Sequence, residues 1–162
     1  MLVGLIDVDG HNFPNLCLMK LSAYHKAQGD DVGWYSPDVP MYDLVYMTKV
    51  FSDEYSKDMS PPLNAKRVIK GGTGYAIKLV DGKEVYNKDL DPPLPDEVEH
   101  IYPDYSLYPE HTGYGKPLRQ QTAYGFLTRG CPRGCHFCHV APKEGKGSRK
   151  VADLSEFWNG QG

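Results

Sequence analysis

Three cysteines, Cys131, Cys135 and Cys138, stand in the stretch Thr128-Arg129-Gly130-Cys131-Pro132-Arg133-Gly134-Cys135-His136-Phe137-Cys138-His139, a CxxxCxxC spacing. Thiolates spaced in this way can face a common point, and soft sulfur donors suit iron–sulfur clusters. Gly130 and Gly134 leave the backbone free to curl around a bulky inorganic core, while Pro132 limits how the first turn relaxes. Three ligands are one fewer than a cubane usually takes, so one iron would stay open to a group that is not protein. An open iron implies chemistry rather than scaffolding. The same residues also admit zinc, because His139 or His136 would complete a Cys3His set for a closed tetrahedral structural site. Zinc sites of that kind usually draw on two separated ligand pairs, and the sequence offers no second pair. The fourth cysteine, Cys17, sits in Asn15-Leu16-Cys17-Leu18-Met19, where a small thiol packed in a core is expected.

The segment Arg129 to Cys138, with the aromatic Phe137 directly before the last cysteine, resembles the signature of the radical S-adenosylmethionine superfamily. The resemblance implies a four-iron four-sulfur cluster held by Cys131, Cys135 and Cys138. It implies further that the amine and carboxylate of S-adenosylmethionine occupy the fourth iron and that Phe137 lies near the adenine. In that family the reduced cluster cleaves S-adenosylmethionine to a 5′-deoxyadenosyl radical, which abstracts hydrogen from a substrate; the substrate here is not readable. The alternative is a zinc- or cluster-binding module without turnover.

The elements that must position this loop are readable in outline. Leu2-Val3-Gly4-Leu5-Ile6-Asp7-Val8 is an almost continuous apolar run, as in a strand buried on both faces of a parallel sheet. Pro14 marks a helix start, and Leu16, Met19, Ala23 and Ala27 recur at helical spacing until Gly29. Short β-favouring pieces follow at 32–35, 43–47 and 67–70, the last running into Gly71-Gly72-Thr73-Gly74. Strand, helix and further strands predict an open, parallel-rich α/β sheet with right-handed crossovers over residues 1–80. This part also resembles the cobalamin-binding-like, Rossmann-like domain that precedes the radical barrel in one branch of the superfamily. Where that branch ligates cobalt through histidine, the pattern is Asp-x-His-x-x-Gly. Neither Asp7 nor Asp9 is followed by it, so His11 is not carried over as a ligand and cobalamin is not expected.

From 81 to 122 the composition shifts. Asp81-Gly82-Lys83 reads as a turn, prolines recur, and Tyr102, Tyr105, Tyr108 and Tyr114 supply rings that let a rigid linker lie against a domain surface. The acidic and proline-bearing pieces 52–54 and 60–62 read as solvated loop. Residues 123–162 are expected to hold the first strand of a radical S-adenosylmethionine barrel (Ala123–Thr128), the cluster loop and a partial helix over 151–158. A barrel needs more strands than this, so the chain reads as truncated after the motif.

Composition narrows the classes. The 162 residues are 40% apolar and 12% aromatic, enough to bury an ordinary core. A net charge of -3 with intermixed signs does not suit a nucleic-acid backbone or an anionic membrane surface. The longest apolar runs fall far short of the roughly 20 residues that cross a bilayer. The start lacks a basic stretch and a cleavage site, so a cytoplasmic protein is expected, and its reducing compartment favours metal binding over disulfides.

Overall fold

A computed structural model describes residues 1–10 and 13–160. Its centre is a four-stranded parallel sheet ordered β2-β1-β3-β4, built from β1 (Leu2–Asp7), β2 (Asp31–Trp34), β3 (Leu44–Thr48) and β4 (Val68–Gly71). The class is therefore mixed α/β, with each of the three strand pairings parallel as the apolar runs predict. Alternation decides which core each side chain enters. Val3, Leu5 and Leu44 join a cluster on one face, while Ile6, Val45 and Met47 join another on the opposite face. Gly4 has no side chain, and the ring of Tyr42 fills that space, 3.0 Å from where a Cβ would stand.

Helix α1 (Leu16–Ala27) covers the first face. Asn15 caps it by accepting from the Leu18 amide, and its own amide reaches Thr48 at the end of β3 (2.8 Å). The buried positions of α1 are Leu18, Met19, Leu21, Ser22 and His25, so the helix is turned away from the face drawn by Leu16, Ala23 and Ala27. The reason is polar. Ser22 donates to Asp104 (2.6 Å), and His25 bridges Asp30 (2.7 Å) and the Tyr46 hydroxyl (3.1 Å), so both can go inside with partners. Leu18 and Met19 are fully buried, each contributing about 1.5–3 kcal/mol of apolar transfer. Cys17 packs against this cluster, as expected, and burial pushes its thiol up to about 11.

After β4 come helix α2 (Thr73–Ala76) and a hairpin of β5 (Ile77–Val80) and β6 (Lys83–Tyr86). The expected turn at Asp81-Gly82 closes it, with φ of 50° and 75°, the positive pair of a two-residue hairpin turn. The proline- and tyrosine-rich stretch carries helices α3 (Asp96–Glu99) and α4 (Pro109–Thr112). It lies against α1: Val98 and Leu107 are buried in the α1 cluster, with Tyr105 and Tyr108 packed against it. Ser52, read from sequence as solvated, is instead buried and donates to Glu84.

The last part is less regular than the sequence suggests. The strand expected over Ala123–Thr128 is reduced to β7 (Thr128–Arg129), which pairs antiparallel with β8 (Arg149–Lys150). Upstream of β7 the backbone bonds to a side chain instead of a neighbouring strand: the Tyr124 amide donates to the Tyr105 hydroxyl (3.1 Å), which itself donates to Phe157 O. Between β7 and β8 lies a short helix, α5 (Val140–Glu144), that no sequence signal announced. The helix expected over 151–158 is a single 3-10 turn at Leu154–Glu156, with Asp153 and Glu156 capping each other. Among the described residues no helix is long and apolar enough to cross a membrane.

Candidate functional site

The cysteine loop runs from β7 to α5 and is tied at its mouth by one carboxylate. Glu144, the last residue of α5, accepts from the Arg129 guanidinium through Oε1 (2.7 Å) and from the Gly130 amide through Oε2 (3.0 Å). The Cys131 amide then donates to the Gly145 carbonyl (3.1 Å), so both ends of the loop are stitched together. Arg129 also lies over the Phe126 ring, 4.4 Å from its centre. Burial pushes the Glu144 carboxyl up, but the Gly130 amide and the Arg129 guanidinium outweigh it and hold the group below its ordinary value.

Gly130 has φ of +95°, and a Cβ there would stand 2.1 Å from the Gly147 carbonyl oxygen. Glycine is required by conformation and by space together. Inside the loop, the Cys138 amide donates to the Cys135 carbonyl (3.0 Å), turning the chain between the second and third cysteines. All three cysteines are free thiols; Cys131 and Cys138 are half-buried and Cys135 is exposed. Phe137 is 75% exposed, its ring edge-on to His136 at 5.2 Å.

Among the described residues no three His, Cys, Asp or Glu side chains converge on a point that could hold a single metal ion. The thiolates of a cubane bind three separate irons, so they stand farther apart than the ligands of one ion, and the inorganic core itself draws them into place. The donor set present, three unpaired thiols on one glycine-hinged loop, fits a cluster. Of the two histidines a Cys3His site could use, His139 is engaged elsewhere, its Nε2 3.3 Å from Glu84 Oε2, and His136 meets the Phe137 ring.

That contact belongs to a set of polar bonds fastening the loop to the first layer. Glu84 is held below its ordinary value by the Ser52 hydroxyl and by His139. Lys143 of α5 reaches Asp91 (2.9 Å) and also donates to Thr73 at the start of α2. Between these fastenings lies a cavity of about 400 Å³, bounded by Thr48 and Gly72 at the carboxyl ends of β3 and β4, by Cys17 of α1, and by Phe126, Arg129 and Lys143. Crevices outside the carboxyl ends of parallel strands are the usual ligand sites of open α/β sheets.

The structure thus brings Arg129, His139 and Lys143, which flank the three cysteines, to a cavity at the carboxyl ends of β3 and β4. Glu84, Asp91, Lys143 and Glu144 make that arrangement and were not singled out from sequence. Their pairings span long separations, and a charged residue on a polar stretch carries no local mark of its partner. The first-loop reading at His11 and Asn12 lies outside the described residues. Compared with known proteins, the chain matches no family model, no curated protein and no solved structure.

Proposed function

We propose that the chain is the cluster-bearing part of a radical S-adenosylmethionine protein, with Cys131, Cys135 and Cys138 as cluster ligands and Phe137 beside the adenine. The observation that carries this reading is the CxxxCxxC spacing, with the aromatic before its last cysteine, on a loop whose first glycine cannot be replaced without a clash. When bound, the cluster would supply the electron that cleaves S-adenosylmethionine reductively to a 5′-deoxyadenosyl radical. The protein's own residues hold the site. Glu144 and Arg129 close the loop mouth, and His139 and Lys143 anchor the loop to the sheet edge. The exposed Phe137 ring offers an apolar face for a base. The cavity of about 400 Å³ beside the loop is where a small substrate would be kept near the reacting carbon.

The parallel layer is taken as a cobalamin-binding-like domain without its cobalt-ligating pattern, and the segment from residue 123 as the start of a barrel.

Anaerobic reconstitution with ferrous iron and sulfide tests the metal. Iron and acid-labile sulfide should each reach about four per chain, and Cys135→Ser should lose them. Dithionite and S-adenosylmethionine should then yield 5′-deoxyadenosine. Stoichiometric zinc without sulfide would instead identify a structural module.

A further inference from the structure

A second cavity, of about 260 Å³, opens at the carboxyl ends of β1 and β2, lined by Asp7, Gly10, Phe13, Trp34, Tyr108 and His111. Its walls are rings set steeply to one another. Trp34 and Tyr108 meet edge to face at 5.1 Å and 80°, and Tyr108 and His111 are tilted by 58° at 6.4 Å. Phe13 is turned edge-on to Tyr124 at 5.6 Å, and its ring is 68% exposed, as Trp34 is 44% exposed. Edge-to-face contacts of this kind hold the rings in place, while Phe13 and Trp34 keep much of their surface exposed.

The charge at this cavity is one-sided. The Asp7 carboxylate accepts from the Tyr108 hydroxyl (2.7 Å) and the Gly10 amide (3.3 Å), both neutral donors. Among the described residues no lysine, arginine or histidine forms an ion pair with it. Burial and the Asp7 carboxylate push the Tyr108 phenol far up, so it stays a neutral donor at any physiological pH. A half-buried carboxylate oriented by two neutral donors and ringed by aromatic faces attracts a positive group from both sources at once, by charge and by the ring quadrupoles.

We propose that this cavity binds a small organic cation, an alkylated ammonium whose apolar methyl groups lie against Trp34 and Tyr108 and whose charge faces Asp7. The volume is below that of pockets for drug-sized molecules, which selects a compact head group. A bare metal ion is disfavoured because, among the described residues lining the cavity, Asp7 supplies the one carboxylate. The inference is independent of the cluster, since none of these residues belongs to the cysteine loop.

The test uses the metal-free chain of 162 residues at pH 7.5, in fixed chloride. The probes are choline and its neutral isostere 3,3-dimethyl-1-butanol. Choline should shift the Trp34 indole resonance and the Gly10 amide saturably, with a midpoint of about 0.1–5 mM, as a single weak site would give. The isostere should bind about tenfold or more weakly, because it keeps the shape and loses the charge. Asp7→Asn should weaken choline about tenfold, with the remaining amide spectrum showing that the fold is retained. Tyr108→Phe, which keeps the ring, should change the midpoint by no more than about threefold. Equal binding of the isostere, an unchanged midpoint in Asp7→Asn, or no saturation by about 50 mM choline overturns the proposal.

Discussion

Replacing Glu144 by alanine should open the cysteine loop without unfolding the sheet. The side chain makes two charge-assisted hydrogen bonds, to Arg129 and to the Gly130 amide, and is 18% exposed, as against 28% for Arg129. Such bonds are worth about 1.5–3 kcal/mol each when well buried. Partial exposure lowers this to about 1–1.5 kcal/mol each, or about 2–3 kcal/mol for the pair. The reporter is the Cys131 amide, whose own bond runs to the Gly145 carbonyl and is not deleted by the substitution. Native-state hydrogen exchange should show its protection fall about 30- to 150-fold, since 1.36 kcal/mol is a factor of ten. Amides of β1 and β3 should keep theirs. Glu144→Gln keeps one acceptor for the Gly130 amide and should lose roughly half of the free energy. A fall of less than about threefold at Cys131 in Glu144→Ala would refute the view that this carboxylate closes the loop.

Gly130→Ala should lower Cys131 protection by about 30-fold or more, from a left-handed φ plus contact with the Gly147 oxygen. Gly134→Ala, at φ of +59° with nothing within 4 Å of the added carbon, should cost about 1 kcal/mol, or about fivefold; equal effects would be contrary to the steric argument. Burial pushes the Asp104 carboxyl up, but Lys26, Ser106 and Ser22 together hold it below its ordinary 3.8. A lowered folded value means the stabilisation is complete above the unfolded value and is lost as pH falls through the folded one. Urea titrations from pH 5 to pH 2 should therefore show stability declining below about pH 4, with a shallower decline in Asp104→Asn. Identical slopes in the two proteins would remove Asp104 from the acid transition.

By itself the sequence determined what local pattern can determine. The apolar run of Leu2 to Val8 and its counterpart at 43–47 read as strands buried on both faces because they are short, β-favouring and bounded by turn signals. Pro14 and Gly29 bracket α1, and Asp81-Gly82 makes a turn, since each acts on its own backbone. The donor set of the cysteine loop is equally local: spacing, glycine and residue type lie within one short stretch. What the tertiary structure decided is everything that depends on a distant partner. Ser22 and His25 face inward on α1 because Asp104, Asp30 and Tyr46 are there to receive them. Of the β-favouring stretch Ala123–Thr128 only Thr128 is strand, and upstream of it the Tyr105 hydroxyl takes the Tyr124 amide that a neighbouring strand would have used. Glu144, Lys143 and Glu84 become the fastenings of the site through pairings between separated segments, and each cavity exists only where distant parts of the chain meet. Hydrogen bonds and ion pairs of this kind have no period along the chain, so they enter only when packing has set the segments side by side.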